Sequence, residues 1–93
     1  MADEGRLREE MNRGTEAAAI LRNPIFIESF ESLRTRYATL WADTPPNAPD
    51  ERERLYVAIN VLEDIFDHIS SVMQTGEMAG HEIGEAARGQ PVH

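Results

Sequence analysis

The sequence contains no cysteine, no lysine and no long apolar run. Without cysteine, neither a disulfide nor a thiolate metal site can form. No apolar segment approaches the ~20 residues that a helix needs to cross a bilayer. The charged N-terminal stretch also has no apolar core of the kind found in a signal peptide. We therefore expect a protein that stays outside membranes and has no cysteine-based chemistry.

Signatures of catalysis are also missing. There is no Gly-x-Ser-x-Gly elbow and no glycine-rich phosphate loop. His68, His81 and His93 are too dispersed to share a ligand spacing. Asp64, Asp67 and His68 do have the spacing of a helical metal site, but this pattern is more typical of a solvated acidic face. We expect no enzymatic activity, no cofactor and no bound metal.

Charge is strongly unbalanced over the 93 residues, with 17 acidic residues against nine basic ones and a net charge of -8. A field of this sign repels nucleic acid, so direct nucleic-acid binding is disfavoured. All basic residues are arginines, which reflects either coding bias or selection for bidentate pairing. The length allows one small domain, and chains of this size often gain stability by forming oligomers.

The most strongly patterned stretch extends from Asp50 to Gly76. Its apolar residues recur at alternating steps of four and three, which places them on one face of a helix. They are Leu55, Ile59, Leu62, Phe66, Ile69 and Met73. Asp50, with Glu53 three residues later, resembles a capping box, and Gly76 resembles a left-handed C-cap. The pattern predicts a helix over residues 50–75.

A second helix is predicted over residues 24–42, with Asn23 as N-cap and Pro24 at the first helical position. Its apolar positions repeat in the same way: Phe26, Phe30, Leu33, Tyr37 and Leu40. A proline-rich loop, residues 43–49, separates the two helices. A short helix over residues 16–22, with Thr15 as N-cap, is predicted to precede them.

These elements predict an all-α fold, an antiparallel helical hairpin with coiled-coil-like packing. The helical domain covers residues 15–76, with flexible arms at residues 1–14 and 77–93. In this hairpin we expect Phe30 to lie near Ile69, Leu33 near a buried Phe66, and Arg36 level with Glu63.

The hairpin seam leaves apolar side chains uncovered, and these predict a partner-binding surface. Its candidate residues are Val57, Val61, Ile65, Val72, Ile27 and Trp41. A closed three-helix monomer, in which the first helix covers some of them, is the alternative. A second candidate, an acidic docking surface for a basic partner, comprises Glu28, Glu31, Glu63, Asp64 and Asp67.

The middle of the chain resembles a family of short, mostly uncharacterised helical proteins of tailed bacteriophages. The resemblance rests on Ile20-Leu21, Asn23-Pro24, Phe26, Phe30, Tyr37, Trp41, Asp50, Arg52, Leu55 and Thr75-Gly76. It covers about two thirds of the chain. It implies a phage protein from the genes for head assembly and DNA packaging, present in the bacterial host cytoplasm or in the virion. No functional residue follows from it.

Two hypotheses of function remain. One is a non-enzymatic helical protein that forms a homo-oligomer or docks on another phage protein during virion assembly or DNA packaging. The other is an acidic inhibitor that mimics nucleic acid and blocks a host defence or transcription enzyme, which the charge of -8 suggests.

Overall fold

The computed structural model describes residues 3–89, which form three α-helices and no β-strand. Helix α1 spans Glu4–Arg22, α2 spans Pro24–Asp43 and α3 spans Pro49–Gly89. The predicted all-α class is therefore confirmed for this part of the chain.

The helices belong to two compact units. The middle unit, Arg22–Asp67, contains α2 and the first part of α3. The terminal unit comprises Met1–Leu21 and His68–His93, and its described residues include most of α1 and the last part of α3.

Helix α2 begins where its sequence predicts. The Asn23 side-chain oxygen accepts hydrogen bonds from the backbone N–H groups of Ile25 and Phe26, at 2.9 and 3.0 Å. Pro24 occupies the first turn, where a missing amide donor costs nothing. The helix ends one residue later than predicted. There the Thr44 hydroxyl donates a hydrogen bond to the Leu40 carbonyl oxygen at 2.8 Å.

Aromatic side chains hold α2 against α3 in the middle unit. The ring centroids of Phe30 and Phe66 are 5.4 Å apart, and Phe30 is 8% exposed. Nearer the loop, Arg34 forms a 2.8 Å ion pair with Glu63. Phe30 precedes Arg34 on α2, whereas its partner Phe66 comes after Glu63 on α3, which is the order expected of antiparallel helices.

The contacts differ from the predicted pairing by nearly one helical turn. Phe66 contacts Phe30, where Leu33 was expected, and Arg34 pairs with Glu63, where Arg36 was expected. Phe66 is also 37% exposed, so the prediction that it is buried was wrong. A heptad repeat allows several such offsets, and only the fit of side chains such as the two phenylalanine rings selects one of them.

The first helix is much longer than the predicted helix over residues 16–22. Residues 4–14, expected to be a flexible arm, are the first turns of α1. Leu7 and Ala17 are each 4% exposed, so these two apolar side chains of the helix are covered. Thr15, predicted as an N-cap, lies inside α1, where its hydroxyl donates to the Met11 carbonyl oxygen at 3.0 Å. Residues 1 and 2 lie outside the described residues.

Helix α3 passes through Gly76, the predicted C-cap, and continues for 13 residues to Gly89. No glycine among residues 3–89 has positive φ, so the left-handed cap is not formed. Residues 77–89, expected to be a flexible tail, are helical, and Ala79 is 1% exposed. Residues 90–93 of that predicted tail lie outside the described residues.

A close contact between α1 and α3 explains why residues 4–14 and 77–89 are both helical. A Cβ on Gly14 would lie 2.7 Å from the Cα of Gly76. A Cβ on Gly76 would lie 2.8 Å from the carbonyl oxygen of Glu10. The two backbones therefore touch, and the packing that results offsets the ~1 kcal/mol that glycine costs inside a helix. The predicted N-terminal arm therefore packs on α3, through Glu10 and Gly14 at Gly76 and through Met11 at Gly80.

Candidate docking surface

Three aliphatic residues of α3 form an exposed row in the middle unit. Val57, Val61 and Ile65, hereafter the α3 stripe, are 51%, 49% and 47% exposed. Their spacing of four places them on one side of the helix. Phe66 and the neighbouring heptad positions occupy a different side, which faces α2. The α2–α3 contact therefore leaves the α3 stripe uncovered within this unit.

Two further predicted partner-binding residues lie elsewhere on the middle unit. Trp41 is 38% exposed, and the Arg52 guanidinium lies 4.3 Å from its ring centroid. Arg34, seven residues before Trp41, is on the same side of α2 and pairs with Glu63. This side of the helix pair is opposite the α3 stripe. Trp41 is thus engaged in a cation–π contact away from the stripe.

Ile27 is also separate from the stripe. It is 39% exposed and lines an open recess on α2 together with Glu28, Glu31 and Arg36. Val72 belongs to the terminal unit, where it is partly buried beside α1 in a recess that Arg13 and His68 also line. The structure therefore places Val57, Val61 and Ile65 in one exposed row. Trp41 and Ile27 lie away from this row on α2, and Val72 is partly buried beside α1.

The predicted acidic docking surface draws its carboxylates from both α2 and α3. Glu63 is paired with Arg34, whose guanidinium also lies 5.1 Å from the Phe30 ring centroid. Glu28 and Glu31 lie on α2 in the recess shared with two arginines, Arg22 and Arg36. Asp64 and Asp67 are exposed on α3. All five carboxylates are at least partly exposed.

Asp64 is the acidic residue that adjoins the α3 stripe, because it follows Val61 by three positions. At the other end of the stripe, Val57 lines a recess with Asp50, Glu53 and Arg54. The sequence pattern predicted a capping role for Asp50 and Glu53. The spacing of four between Glu53 and Val57 was the available signal for their position beside the stripe.

Leu33 and Leu40 were predicted as core residues of the hairpin seam, yet they are 37% and 45% exposed. Both lie at the edge of the contact that contains Phe30. They remain partly exposed because two helices alone cannot enclose a wide apolar face. The middle unit consequently presents more apolar surface than the heptad pattern predicts.

Among residues 3–89, no group of three or more histidine, aspartate or glutamate side chains is placed to hold a metal ion. Within the same residues, no helix combines the length and apolarity needed to cross a bilayer. Comparisons with protein-family models, curated proteins and solved structures gave no match.

Proposed function

We propose that this chain is a non-enzymatic helical protein of a tailed bacteriophage that acts by protein–protein association in virion assembly or DNA packaging. Its partner is a second copy or another phage protein, in the bacterial host cytoplasm or the virion. The phage setting rests on the sequence resemblance. The association rests on one observation, the exposure of the α3 stripe at about half of each side chain.

In this proposal, α2 and the first part of α3 act as an antiparallel helical hairpin that presents the stripe. Aliphatic residues four apart on a helix are the usual anchors of helix-to-helix docking. Their regular alignment distinguishes them from the isolated apolar residues that any protein surface carries.

The size of the stripe limits how tightly it binds by itself. Covering the exposed half of three aliphatic side chains is worth about 1 kcal/mol each. The total of about 3 kcal/mol is less than the roughly 4–15 kcal/mol that association costs in lost rigid-body freedom. The partner must therefore also contact the residues that surround the stripe.

The proposal is tested by placing a charge in the stripe. In a phage that carries this gene, Val61→Asp should remove the protein from purified particles or assembly intermediates and reduce particle yield. Thr35→Asp is the matched control. It adds the same charge as Val61→Asp, and Thr35 is exposed on α2 away from α3. Circular dichroism should show both variants to be as helical as the parent chain.

Light scattering on the purified protein provides a second measurement. Stripe-dependent self-association, abolished by Val61→Asp and retained by Thr35→Asp, supports the second-copy form of the proposal. A chain that remains monomeric at high concentration, together with particles unaffected by Val61→Asp, would contradict the proposed function.

A further inference from the structure

The surroundings of the α3 stripe are acidic on the described residues. Asp50 and Glu53 share a recess with Val57, and Asp64 follows one turn after Val61. All three are exposed, and none has an arginine or histidine within ion-pair distance among residues 3–89. Arg54 is the one basic residue in the recess around Val57. The rim of the stripe thus carries an excess of negative charge.

This charge argues against a second copy as the occupant. A two-fold contact places the same patch of each subunit against itself. Two facing stripes would therefore bring the carboxylates of both rims together, on chains that each carry a net charge of -8. Like charges in an interface oppose association and select against the partner that brings them.

We infer that the α3 stripe binds a basic amphipathic helix of another protein, an inference that rests on the proposed function. Aliphatic residues three or four apart on that helix cover Val57, Val61 and Ile65. Arginine or lysine residues on its flank meet Asp50, Glu53 and Asp64. These contacts add to the apolar burial, which is too small on its own, and they make association faster at low salt.

The length of the partner helix follows from helical geometry. Fourteen residues separate Asp50 from Asp64, which corresponds to about 21 Å along α3 at 1.5 Å per residue. A helix of about 15 residues is therefore long enough to contact the whole stripe and all three carboxylates.

The experiment uses the full chain and two synthetic helices of about 15 residues. Both carry leucines four apart on one face, and they differ only in having arginine or glutamate on one flank. Isothermal titration calorimetry should show the arginine peptide binding at least about tenfold more tightly than the glutamate peptide. Its affinity should fall as salt is raised toward ~0.3 M, because exposed charges are screened.

Substitutions locate the binding site. Val61→Ser should weaken binding of the arginine peptide about tenfold, and Val57→Ser is a second variant in case the first alters folding. The double variant Glu53→Gln with Asp64→Asn should weaken binding about fivefold and reduce its salt dependence. The matched control is Glu28→Gln with Glu31→Gln, which changes net charge equally but leaves the stripe untouched. It should change affinity less than about twofold.

Four outcomes would overturn the inference. Equal losses from the two double variants would show general attraction to an acidic chain. Equal binding of both peptides, or an unchanged affinity for the serine variants, would show that the charged rim or the stripe has no role. A stripe-dependent homodimer that excludes the arginine peptide would assign the stripe to a second copy, and the proposed function would then stand while this inference fails.

Discussion

The terminal and middle units differ in the residues that pack their helices together: glycines in the terminal unit and phenylalanines in the middle unit. In the terminal unit, Gly14 and Gly76 let the backbones of α1 and α3 touch, and the Met11 side chain packs against Gly80. In the middle unit, the rings of Phe30 and Phe66 separate α2 from α3. One contact depends on the absence of side chains, and the other depends on the largest apolar ones.

This difference determines where apolar surface remains exposed. Ten of the thirteen large hydrophobic residues exposed within residues 3–89 belong to the middle unit. Close backbone approach covers most of a helix face, whereas bulky side chains fill the centre of a contact and leave its edges open. The unit with the larger side chains is consequently the one that keeps more apolar surface exposed.

The largest expected effect is on the aromatic contact. Phe30→Ala should lower the free energy of unfolding by about 3–5 kcal/mol, because Phe30 is almost fully buried. Phe66→Ala should cost only about 2 kcal/mol, since over a third of that side chain is exposed. Urea denaturation of the two variants measures the difference. Equal losses would mean that Phe66 is covered in solution, which would place an additional contact on α3.

The glycine contact predicts a change of sign between two identical substitutions on α3. Gly84→Ala should stabilise the protein by up to ~1 kcal/mol from helix propensity, because only the Arg88 side chain is near, at 4.0 Å. Gly76→Ala should destabilise it by about 1–2 kcal/mol, because the new Cβ meets the α1 backbone at 2.7 Å. Thermal unfolding of both variants tests this contrast. If Gly76→Ala is stabilising, the backbones do not touch.

The smallest expected effects concern the ion pairs. Replacing Glu63 by Gln should cost about 0.5 kcal/mol, since it and Arg34 are 40% and 46% exposed. In the terminal unit, the pair of Arg8 and Glu4 is exposed by about two thirds, so Glu4→Gln should have less effect still. Double-mutant cycles with Arg34→Gln and Arg8→Gln isolate each pair. A coupling above ~1 kcal/mol for Arg34 and Glu63 would show that the pair fixes the helix register.

The middle unit was largely predictable from the sequence. The heptad spacing located α2 and the start of α3 to within one or two residues, and Asn23-Pro24 identified the start of α2 together with its cap. The exposure of Val57, Val61 and Ile65 also followed from their position outside the heptad face. The pairing of individual residues did not follow, because a shift by about one turn preserves the same apolar pattern.

The terminal unit was not predictable by the same reasoning. From its local sequence, Gly14 predicts the end of a flexible arm and Gly76 predicts the end of a helix, because glycine weakens an isolated helix. Residues 4–14 and 77–89 contain few apolar side chains, so neither segment shows a strong periodic pattern. Each becomes helical in the structure beside the other, and this dependence on a distant segment cannot be seen in either one alone.

By itself, then, the sequence determined the helical class, the limits of α2, the start of α3 and the row of aliphatic residues at 57, 61 and 65. Those features depend on local spacing, capping and turn chemistry, which nearby residues encode. Only the tertiary structure decided that both ends of the described chain are helical, that Phe66 is partly exposed, and that Val72 is partly buried beside α1. Those features depend on which surfaces meet, and close packing between segments far apart in sequence determines that.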